Sequence, residues 1–487
     1  MEGTREETRL LEERPSLLRS QSEGTPMAHV VRSLGIGRER SGPDRTQRAK
    51  RGGNVDCFVL VIGLCSILGT VWLGWRYGNF EGIWSFWQVE DQSTEFEVTR
   101  TFSTDRDDPY RVVNISILNK ALDSGAVCLD GSPPAYFLDR GSGEGANNWL
   151  VFHEGGGWCP NPGNCLGRSY TSLGSSRQMS RHARLGGMLS RSPIANPDFY
   201  NWNRVLLKYC DGGSFNGDVS NPVEVGLHTN PLINGKAPVV FFRGQRIWKA
   251  LMEELMEIGM KDAEKAFLAG CSAGGLATVL HCDQYRDLMP KTTLVKCLSD
   301  AGFFLDIPDV SGVQTIEAFY SHVVKVQNMA ENLPKYCTSE RKAESCLFPE
   351  YIIPGLKTPF FMLNPAHDTW QMDNVLVPRA ADPNGSWDFC RSTLSFCSDP
   401  QLKVIQGFRD SLLQKLQPLL ERKEDGAFID SCYVHCQAQD DITWNGRRSP
   451  KIDNKTIATV VGDWYFERNS TKVIDCPYPC NPTCTRF

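Results

Sequence analysis

The sequence has no strong excess of charge of either sign, which argues against several classes of function. Its 487 residues contain 52 Lys and Arg against 57 Asp and Glu, giving a formal net charge of −5. No basic stripe runs through the body of the chain, so nothing indicates a nucleic-acid partner. Hydrophobic residues make up 41% of the chain and charged residues 22%, so we expect a packed core rather than bulk disorder.

The sequence also lacks a pair of CxxC motifs, which argues against a zinc site. It nevertheless contains 18 cysteines, and apart from two in an apolar N-terminal segment they run from Cys128 to Cys484. The spacings Cys432-x3-Cys436 and Cys480-x3-Cys484 are similar to zinc-binding spacings, so a metal site is the less favoured alternative. An even number of remaining cysteines predicts a disulfide framework formed in an oxidising compartment.

Four sequons for N-glycosylation indicate the same compartment. They begin at Asn114, Asn384, Asn454 and Asn469, and each has Ser or Thr two residues later without an intervening proline. All four follow the apolar N-terminal segment and none precedes it. We therefore expect the chain after that segment to enter the secretory pathway.

The apolar segment itself covers residues 57–75, CFVLVIGLCSILGTVWLGW. As a helix it would span a hydrocarbon core of roughly 30 Å. Basic residues dominate just before it and acidic residues after it, which places the larger part of the chain outside the cytoplasm. The sequence predicts a disordered basic cytoplasmic tail over 1–54, a transmembrane signal anchor over 55–76 and a stem over 77–104. A cleavable signal peptide behind a long leader is the alternative.

From residue 105 to residue 487 the sequence contains no linker, low-complexity tract or repeat, so we expect one domain. Strand-like apolar runs alternate with segments of helical spacing. The runs cover 149–153, 204–209, 265–269 and 358–363, and the helical segments cover 241–259, 273–288 and 401–420. This alternation predicts an α/β fold with a mostly parallel central sheet flanked by helices.

A candidate nucleophile lies in Gly270-Cys-Ser272-Ala-Gly274, which matches G-x-S-x-G. In this motif the serine occupies a sharp strand-to-helix turn, where side chains at the flanking positions would clash. A strand-like run precedes the motif and a helix-compatible segment follows it, so Ser272 is the candidate. A glycine-rich turn holding a serine by chance is the alternative. Cys271 is a rival nucleophile. However, a turn of this kind presents the side chain at position 272 to the substrate, and we expect Cys271 to form a disulfide.

A serine hydroxyl needs a base, and the base needs an acidic partner that holds its tautomer. In α/β-hydrolases the base follows the serine and the acid in the chain. Four histidines follow Ser272, namely His281, His322, His367 and His435. His281 lies on the helix that leads away from Ser272. His322 lies in an amphipathic stretch, and His367 lies directly before an aspartate. His435, in a loop bounded by cysteines, is therefore the candidate base, with a surface histidine in a disulfide turn as the alternative.

Two aspartates compete for the role of the acid. Asp368 follows the strand-like run 358–363, in the kind of loop where active sites of open α/β sheets lie. Asp300 also follows an apolar run, and Asp306 and Asp373 are weaker candidates. Helix capping is the alternative explanation for each of them. The residues favour Asp368 but leave Asp300 open.

A glycine loop, His153-Glu-Gly-Gly-Gly-Trp158, follows a strand-like run near the start of the domain. It is similar to the HGGG loops of esterases, whose backbone N–H groups stabilise an oxyanion. Gly156 and Gly157, together with the N–H of Ala273, are the candidate donors. A glycine run alone is typical of any loop, and its position ahead of the serine turn favours the functional interpretation.

These motifs, with several others, give the chain a resemblance to a known family. They are HEGGGWC at 153–159, KYCDGGSFNGD at 208–218, FRGQRIWKA at 242–250, LAGCSAGGLA at 268–277, LSDAGFFLD at 298–306, NPAHDTWQMDNVL at 364–376 and SCYVHCQ at 431–437. In these motifs the chain resembles the plant pectin acetylesterases, which are related to the Wnt deacylase Notum. The resemblance covers about residue 105 to residue 487.

The resemblance implies an α/β-hydrolase-like, disulfide-rich fold that removes O-acetyl groups from pectin without a metal or cofactor. By position it implies a catalytic triad of Ser272, Asp368 and His435, with oxyanion donors at Gly156, Gly157 and Ala273. It thereby favours Asp368 over Asp300. Trp158 and Asp211, within the matching motifs, are the candidate substrate contacts.

We expect the protein to be a monomer that acts on acetylated pectin or a related polysaccharide. Its expected location is the Golgi, as a single-pass type II membrane protein, or the cell wall or extracellular space after cleavage. The Arg-rich leader departs from the plain signal peptide of many relatives, which leaves the location open. Three alternatives remain for the function: deacetylation of another glycan, removal of a lipid from a protein, and glycan binding by a non-catalytic hydrolase scaffold.

Overall fold

The computed structural model of the protein describes residues 111–226, 237–469 and 471–484, which belong to one compact unit. The predicted tail (1–54), signal anchor (55–76) and stem (77–104) lie outside these ranges, so those three expectations stay predictions. Within the described ranges, no helix is long and apolar enough to cross a membrane.

A ten-stranded sheet lies at the centre of the fold. Its strands, in spatial order, are β14 (Lys472–Ile474), β11 (Gly426–Ile429), β10 (Phe360–Leu363), β9 (Leu294–Asp300), β8 (Lys265–Cys271), β3 (Asn148–His153), β5 (Asn203–Leu207), β2 (Ala135–Asp139), β1 (Val113–Ile117) and β4 (His182–Ala183). Neighbours from β14 to β5 run parallel, and β2, β1 and β4 extend the sheet with antiparallel pairings. The mostly parallel sheet predicted from the sequence is therefore confirmed. Two small antiparallel pairs are separate from it, β6 (Val223–Glu224) with β7 (Val239–Val240) and β12 (Lys451–Ile452) with β13 (Lys455–Thr456).

Helices and single helical turns connect the strands. The α-helices are α1 (Pro162–Ser169), α2 (Gly244–Glu257), α3 (Ala273–Leu288), α4 (Thr315–Val326), α5 (Lys335–Thr338), α6 (Pro349–Ile352), α7 (Thr369–Gln371), α8 (Asp388–Ser392), α9 (Asp399–Lys415), α10 (Gln417–Glu421), α11 (Asp441–Trp444) and α12 (Ile457–Tyr465). The single helix predicted over 401–420 is thus two helices that meet at Leu416. Pro418 explains the break, because proline has no N–H to continue the helical ladder.

The middle of the sheet is buried on both faces. All of β3 is buried, as are β8 and β9 beyond their first residues. Strands covered on both faces are mostly apolar, which is why the central parts of these strands form hydrophobic runs in the sequence. Helix α3 is buried from Ala273 to Cys282, so the residue at its start has a rigid support.

Eight disulfides connect the 16 cysteines from Cys128 onwards. They pair Cys128 with Cys210, Cys159 with Cys165, Cys271 with Cys436, Cys282 with Cys297, Cys337 with Cys346, Cys390 with Cys397, Cys432 with Cys484, and Cys476 with Cys480. The predicted disulfide framework is confirmed. The cysteines of both zinc-like spacings are in disulfides, so they offer no thiolate to a metal ion.

Candidate active site

The sequence-predicted site residues lie at one edge of the sheet, where its parallel strands end. The glycine loop follows β3, Ser272 follows β8, Asp368 follows β10 and His435 follows β11. These strands run parallel and lie within one stretch of the sheet, in the order β11, β10, β9, β8, β3. Segments far apart in the sequence therefore meet at the carboxyl edge, where open α/β sheets place their sites.

Ser272 occupies the turn between β8 and α3. Its backbone has φ 58° and ψ −127°, a conformation that costs a residue with a side chain of the order of 1–3 kcal/mol. Its N–H donates to the carbonyl of Asp300 at 2.9 Å, and 6% of the residue is exposed. The turn is that of a nucleophile elbow, which presents the serine hydroxyl at the edge of the sheet.

Glycines allow the neighbouring backbones to approach this turn. A Cβ on Gly274 would lie 2.7 Å from the carbonyl oxygen of Glu154, and a Cβ on Gly270 would lie 2.7 Å from Thr278 Oγ1. A Cβ on Gly155 would lie 2.9 Å from the Cβ of Ser272. The glycine loop after β3 therefore packs directly against the serine turn.

Side chains fix the orientation of the glycine loop. Arg168 Nη2 donates to the carbonyl of Gly156 at 2.6 Å, and the hydroxyl of Tyr209 donates to the carbonyl of Gly157 at 2.7 Å. Gly157 has φ 66° and Gly156 has φ 154°, in the region that favours glycine. With both carbonyls held in this way, the peptide units of the loop are fixed before any substrate arrives.

The predicted acid and base form a hydrogen-bonded pair. His435 Nδ1 lies 2.7 Å from Asp368 Oδ1. The Asp368 carboxylate is fully buried and also accepts from the N–H of Trp370 at 2.9 Å, at the start of α7. This contact holds the ring through Nδ1, which leaves Nε2 as the nitrogen that can accept a proton.

A disulfide brings the base and the nucleophile together. Cys271, directly before Ser272, is bonded to Cys436, directly after His435. A ring nitrogen of His435 lies within 4.8 Å of the Cys271 sulfur. The same bond removes Cys271 as a rival nucleophile, because its sulfur is not a thiol.

The surroundings of His435 favour its protonated form. Burial lowers the pKa of His435, but the charge and hydrogen bond of Asp368, with a smaller contribution from Asp300, outweigh it. The pKa of His435 is therefore raised above its ordinary value, as expected for a base that must stabilise an imidazolium during reaction.

Asp300, the competing acid, has a different place. It ends β9, and its carboxylate is fully buried, with Oδ2 accepting from the N–H groups of Gln437 and Ala438 at 2.7 Å each. Burial raises its pKa to about 6. Asp300 therefore holds the backbone after His435, while Asp368 holds the ring.

The three competing histidines make contacts away from the serine turn. His281 is buried, stacks on Trp248 at 4.3 Å and lies 3.1 Å from the carbonyl of Phe215. His322 Nδ1 lies 2.8 Å from the carbonyl of Ala318 within α4. His367 is buried with Nδ1 3.2 Å from the carbonyl of Ser431. Burial lowers the pKa of both His281 and His367 to about 4.

The two candidate substrate contacts are both buried. Asp211 Oδ2 accepts from the N–H groups of Gly213 at 3.1 Å and Phe215 at 2.8 Å, so it shapes its own loop. Trp158 is 7% exposed and its Nε1 donates to Ser214 Oγ at 2.8 Å. Ser214 in turn donates to the carbonyl of Ala273 at 2.7 Å, which connects Trp158 to the residue after the nucleophile.

Sequence reasoning missed Arg168, Tyr209 and Ser214, which hold the glycine loop and the start of α3. Tyr209 and Ser214 lie within the motif at 208–218, and the length of that motif was a signal for both. Arg168 lies on α1, and no motif marked it. Its contact with the glycine loop depends on how α1 packs in the folded chain.

A family model described as pectinacetylesterase matches residues 107–485. The chain belongs to the pectinacetylesterase family. Pectin acetylesterase 5 of Arabidopsis thaliana is 46% identical over 376 residues, which cover 77% of this chain and 86% of that protein. Pectin acetylesterase 7 of the same plant is 46% identical over 373 residues, covering 76% of this chain and 92% of that protein.

Similarity beyond the pectinacetylesterases extends to carboxylesterases of animals. Palmitoleoyl-protein carboxylesterase notum1' of Xenopus laevis is 31% identical over 399 residues, covering 75% of this chain and 74% of that protein. The structure of the Wnt deacylase Notum from Drosophila has a TM-score of 0.63 and 24% identity, covering 77% of this chain and all of that one. The predicted α/β-hydrolase-like fold is confirmed by this structural similarity.

Proposed function

We propose that this protein is a serine esterase that removes acetyl groups from pectin or a related cell-wall polysaccharide. The observation that carries the proposal is the pairing of His435 with Asp368 beside the strained turn of Ser272. Membership of the pectinacetylesterase family supports a carbohydrate acetyl ester as the substrate.

The first half-reaction would form an acetyl-enzyme. Ser272 Oγ attacks the acetyl carbonyl carbon while its proton passes to Nε2 of His435. The oxyanion accepts hydrogen bonds from the N–H groups of Gly156, Gly157 and Ala273. The carbon–oxygen bond to the sugar then breaks, and the leaving sugar oxygen takes the proton from His435.

The second half-reaction would return the enzyme to its starting state. Water attacks the acetyl carbonyl of the acyl-enzyme and gives a proton to His435. The bond to Ser272 Oγ breaks, that oxygen regains the proton, and acetate leaves. Asp368 stays ionised throughout and stabilises the imidazolium that forms twice in each cycle.

Aromatic packing beside the oxyanion loop supports a short acyl group. Trp158 contacts the edges or faces of Phe304 at 5.0 Å, Tyr320 at 5.2 Å and Trp370 at 5.6 Å between ring centroids. The Trp370 ring also lies 6.5 Å from the His435 ring. We infer that these rings border the acyl site and keep it short, which suits an acetyl group better than a long acyl chain.

Replacing Trp158 with Ala tests the acyl preference. We expect the wild type to prefer p-nitrophenyl acetate over the octanoate, and the Trp158→Ala variant to shift the ratio of kcat/KM towards octanoate by about tenfold. A wild type that prefers the octanoate would instead support removal of a lipid from a protein, the second candidate, to which the carboxylesterase relatives point.

Acetate release tests the polysaccharide proposal. Full-length protein should release acetate from acetylated homogalacturonan faster than from acetylated xylan. The reverse order would move the substrate to another glycan. A protein that is inert towards both polymers, small esters and serine-reactive phosphonates would be a non-catalytic scaffold, and the esterase proposal would be wrong.

We also propose that the protein works in the secretory pathway, as a type II membrane protein or after cleavage from the predicted anchor. Eight disulfides require an oxidising compartment. The four sequon asparagines, Asn114, Asn384, Asn454 and Asn469, are all exposed and accessible to glycosylation. The choice between Golgi and wall, and the monomeric state, stay predictions.

A further inference from the structure

A cavity adjoins the loops that carry the acid and the base. It has a volume of about 490 Å³ and lies between α7, the segment from Arg391 to Ser395, the start of the loop after β11, and the C-terminal segment. Its lining is rich in hydroxyl groups, from Thr369, Ser392, Thr393, Ser395, Ser431 and Tyr433. We propose that this cavity binds a further saccharide unit of the polymer, and this proposal rests on the proposed function.

The cavity is close to the reacting groups along the chain. Thr369 directly follows Asp368, and Tyr433 precedes His435 by two residues. Two residues of extended chain span at most about 7 Å. A sugar in the cavity would therefore be a near neighbour, on the same polymer, of the sugar that carries the acetyl ester.

The chemistry of the lining suits a sugar. Tyr433 donates its hydroxyl proton to the carbonyl of Arg391 at 2.6 Å, and Ser431 donates to Asp475 at 2.7 Å. Both oxygens keep lone pairs that can accept from sugar hydroxyls. Arg391 also lines the cavity. Its guanidinium pairs with Asp388 at 2.5 Å, and its positive charge suits the carboxylate of a galacturonate unit.

An exposed aromatic side chain directly follows the lining residue Ser395 in the sequence. Phe396 is 62% exposed and follows Ser395 in the segment closed by the disulfide from Cys390 to Cys397. Phe389, just before that segment, is 77% exposed. An aromatic ring next to a hydroxyl-lined cavity suits a sugar, because a sugar ring presents both an apolar face and hydroxyl groups.

Comparing a polymer with a small ester tests this subsite. We expect the double variant Thr393→Val/Phe396→Ala, and separately Ser395→Trp, to lower kcat/KM on acetylated homogalacturonan at least about fivefold, mainly through KM. Turnover of p-nitrophenyl acetate should change less than twofold, because that ester does not extend into the cavity. Ile194→Ala, at an 85% exposed residue that does not line the cavity, is the control and should match the wild type on both substrates.

Equal loss on both substrates, or no loss on the polymer, would overturn the subsite. A wild type without activity on any polymer would instead overturn the proposed function, so the two failures are distinguishable.

Asp300 carries a second inference from different observations. Its carbonyl accepts from the Ser272 N–H at 2.9 Å, and its carboxylate accepts from Gln437 and Ala438, which follow His435 and Cys436. We infer that Asp300 is a positioning residue, which holds the base loop at the fixed distance from the nucleophile that proton transfer requires.

The charge of Asp300 also acts on the base, because it contributes to raising the pKa of His435. His435 and Asp368 are charged groups that face the Asp300 carboxylate from the neighbouring loops. Asp430, directly after β11, is a third group that interacts with it. Oδ1 of Asp300 is buried and has no hydrogen-bond partner among the described residues. Asn at position 300 keeps an acceptor oxygen but removes the charge that strengthens both N–H bonds, and its NH2 group takes the place of the unpartnered Oδ1. The substitution therefore loosens the hold on the base loop and removes the charge beside it.

The pH profile of Asp300→Asn tests this role. We expect kcat on p-nitrophenyl acetate to fall about tenfold with KM nearly unchanged, and the acid limb of the kcat/KM profile to move to lower pH. Asp425→Asn is the matched control, because Asp425 is equally buried and accepts from a backbone N–H, that of Phe360, at the opposite end of the strands. An unmoved acid limb, an equal effect in the control, or misfolding of Asp300→Asn alone would overturn the positioning role.

Discussion

At the scale of single residues, the ionisation of His435 controls the proposed chemistry. The base must be neutral to accept a proton from Ser272, and the carboxylates of Asp368 and Asp300 raise its pKa. The site therefore gains the neutral base as pH rises through this pKa and loses it as pH falls. We predict that the acid limb of the kcat/KM profile lies above the value of about 6.5 that is typical of histidine. A limb below that value, measured on p-nitrophenyl acetate, would contradict the environment described for the ring.

The same residues show how far the sequence could predict the site. Ser272 and His435 could be named from the motif and the chain order, because both signals are local. The choice between Asp368 and Asp300 could not be made from local signals. Asp300 ends one buried strand and Asp368 follows another, and the ends of the two strands are in register, with Leu363 opposite Asp300. The family resemblance favoured Asp368, and the folded chain shows the physical difference: Asp368 holds the imidazole ring, and Asp300 holds the loop after it.

At the scale of elements, the disulfide from Cys271 to Cys436 connects the serine turn to the base loop across 165 residues of sequence. We predict that Cys271→Ser/Cys436→Ser lowers kcat at least about tenfold, because the base loop gains freedom relative to Ser272. Loss of a disulfide that closes so long a loop should also lower the free energy of unfolding by about 2–5 kcal/mol.

The disulfide from Cys337 to Cys346 provides the control, since it spans 9 residues and lies outside the catalytic loops. Cys337→Ser/Cys346→Ser should lose less stability and keep its kcat. Activity assays and thermal unfolding of both double variants give the comparison, and equal kcat values in the two would contradict the assigned role of the longer cross-link.

The elements that the sequence predicted best are those with a long apolar pattern. Helix α3 covers Ala273–Leu288, the predicted range, and β8 extends the predicted 265–269 by two residues to Cys271. The short strands β11 and β14 have four and three residues, too few for a clear periodic pattern. The sequence also did not predict the antiparallel strands β1 and β2, because their place in the sheet depends on pairing with other strands rather than on local sequence.

At the scale of the whole molecule, the exposed sequons connect the fold to its compartment. We predict that protein purified from a eukaryotic secretory system loses mass after treatment with an N-glycosidase, through glycans at one or more of Asn114, Asn384, Asn454 and Asn469. Replacing all four with Gln should abolish that shift. Protein that carries no glycan at these exposed positions, after expression in plant cells, would contradict secretory-pathway folding.

In the part of the chain that the structure describes, eight disulfides and a largely buried parallel sheet support one edge on which four loops meet. The glycine loop, the serine turn and the loops of Asp368 and His435 come from separate strands, and each is held by contacts with another. The site is therefore a property of the assembled sheet, and its chemistry is lost if any one loop moves. This is why the family resemblance, which covers the whole domain, carries more weight than any single motif.

Acetate release from acetylated pectin by the full-length protein, beside its Ser272→Ala variant, is the most direct test of the central claim. We predict steady release by the wild type and a fall of at least about 10³-fold in the variant, with the same unfolding temperature for both proteins. Release by the Ser272→Ala variant at a rate near that of the wild type would contradict Ser272 as the nucleophile and, with it, the proposed mechanism.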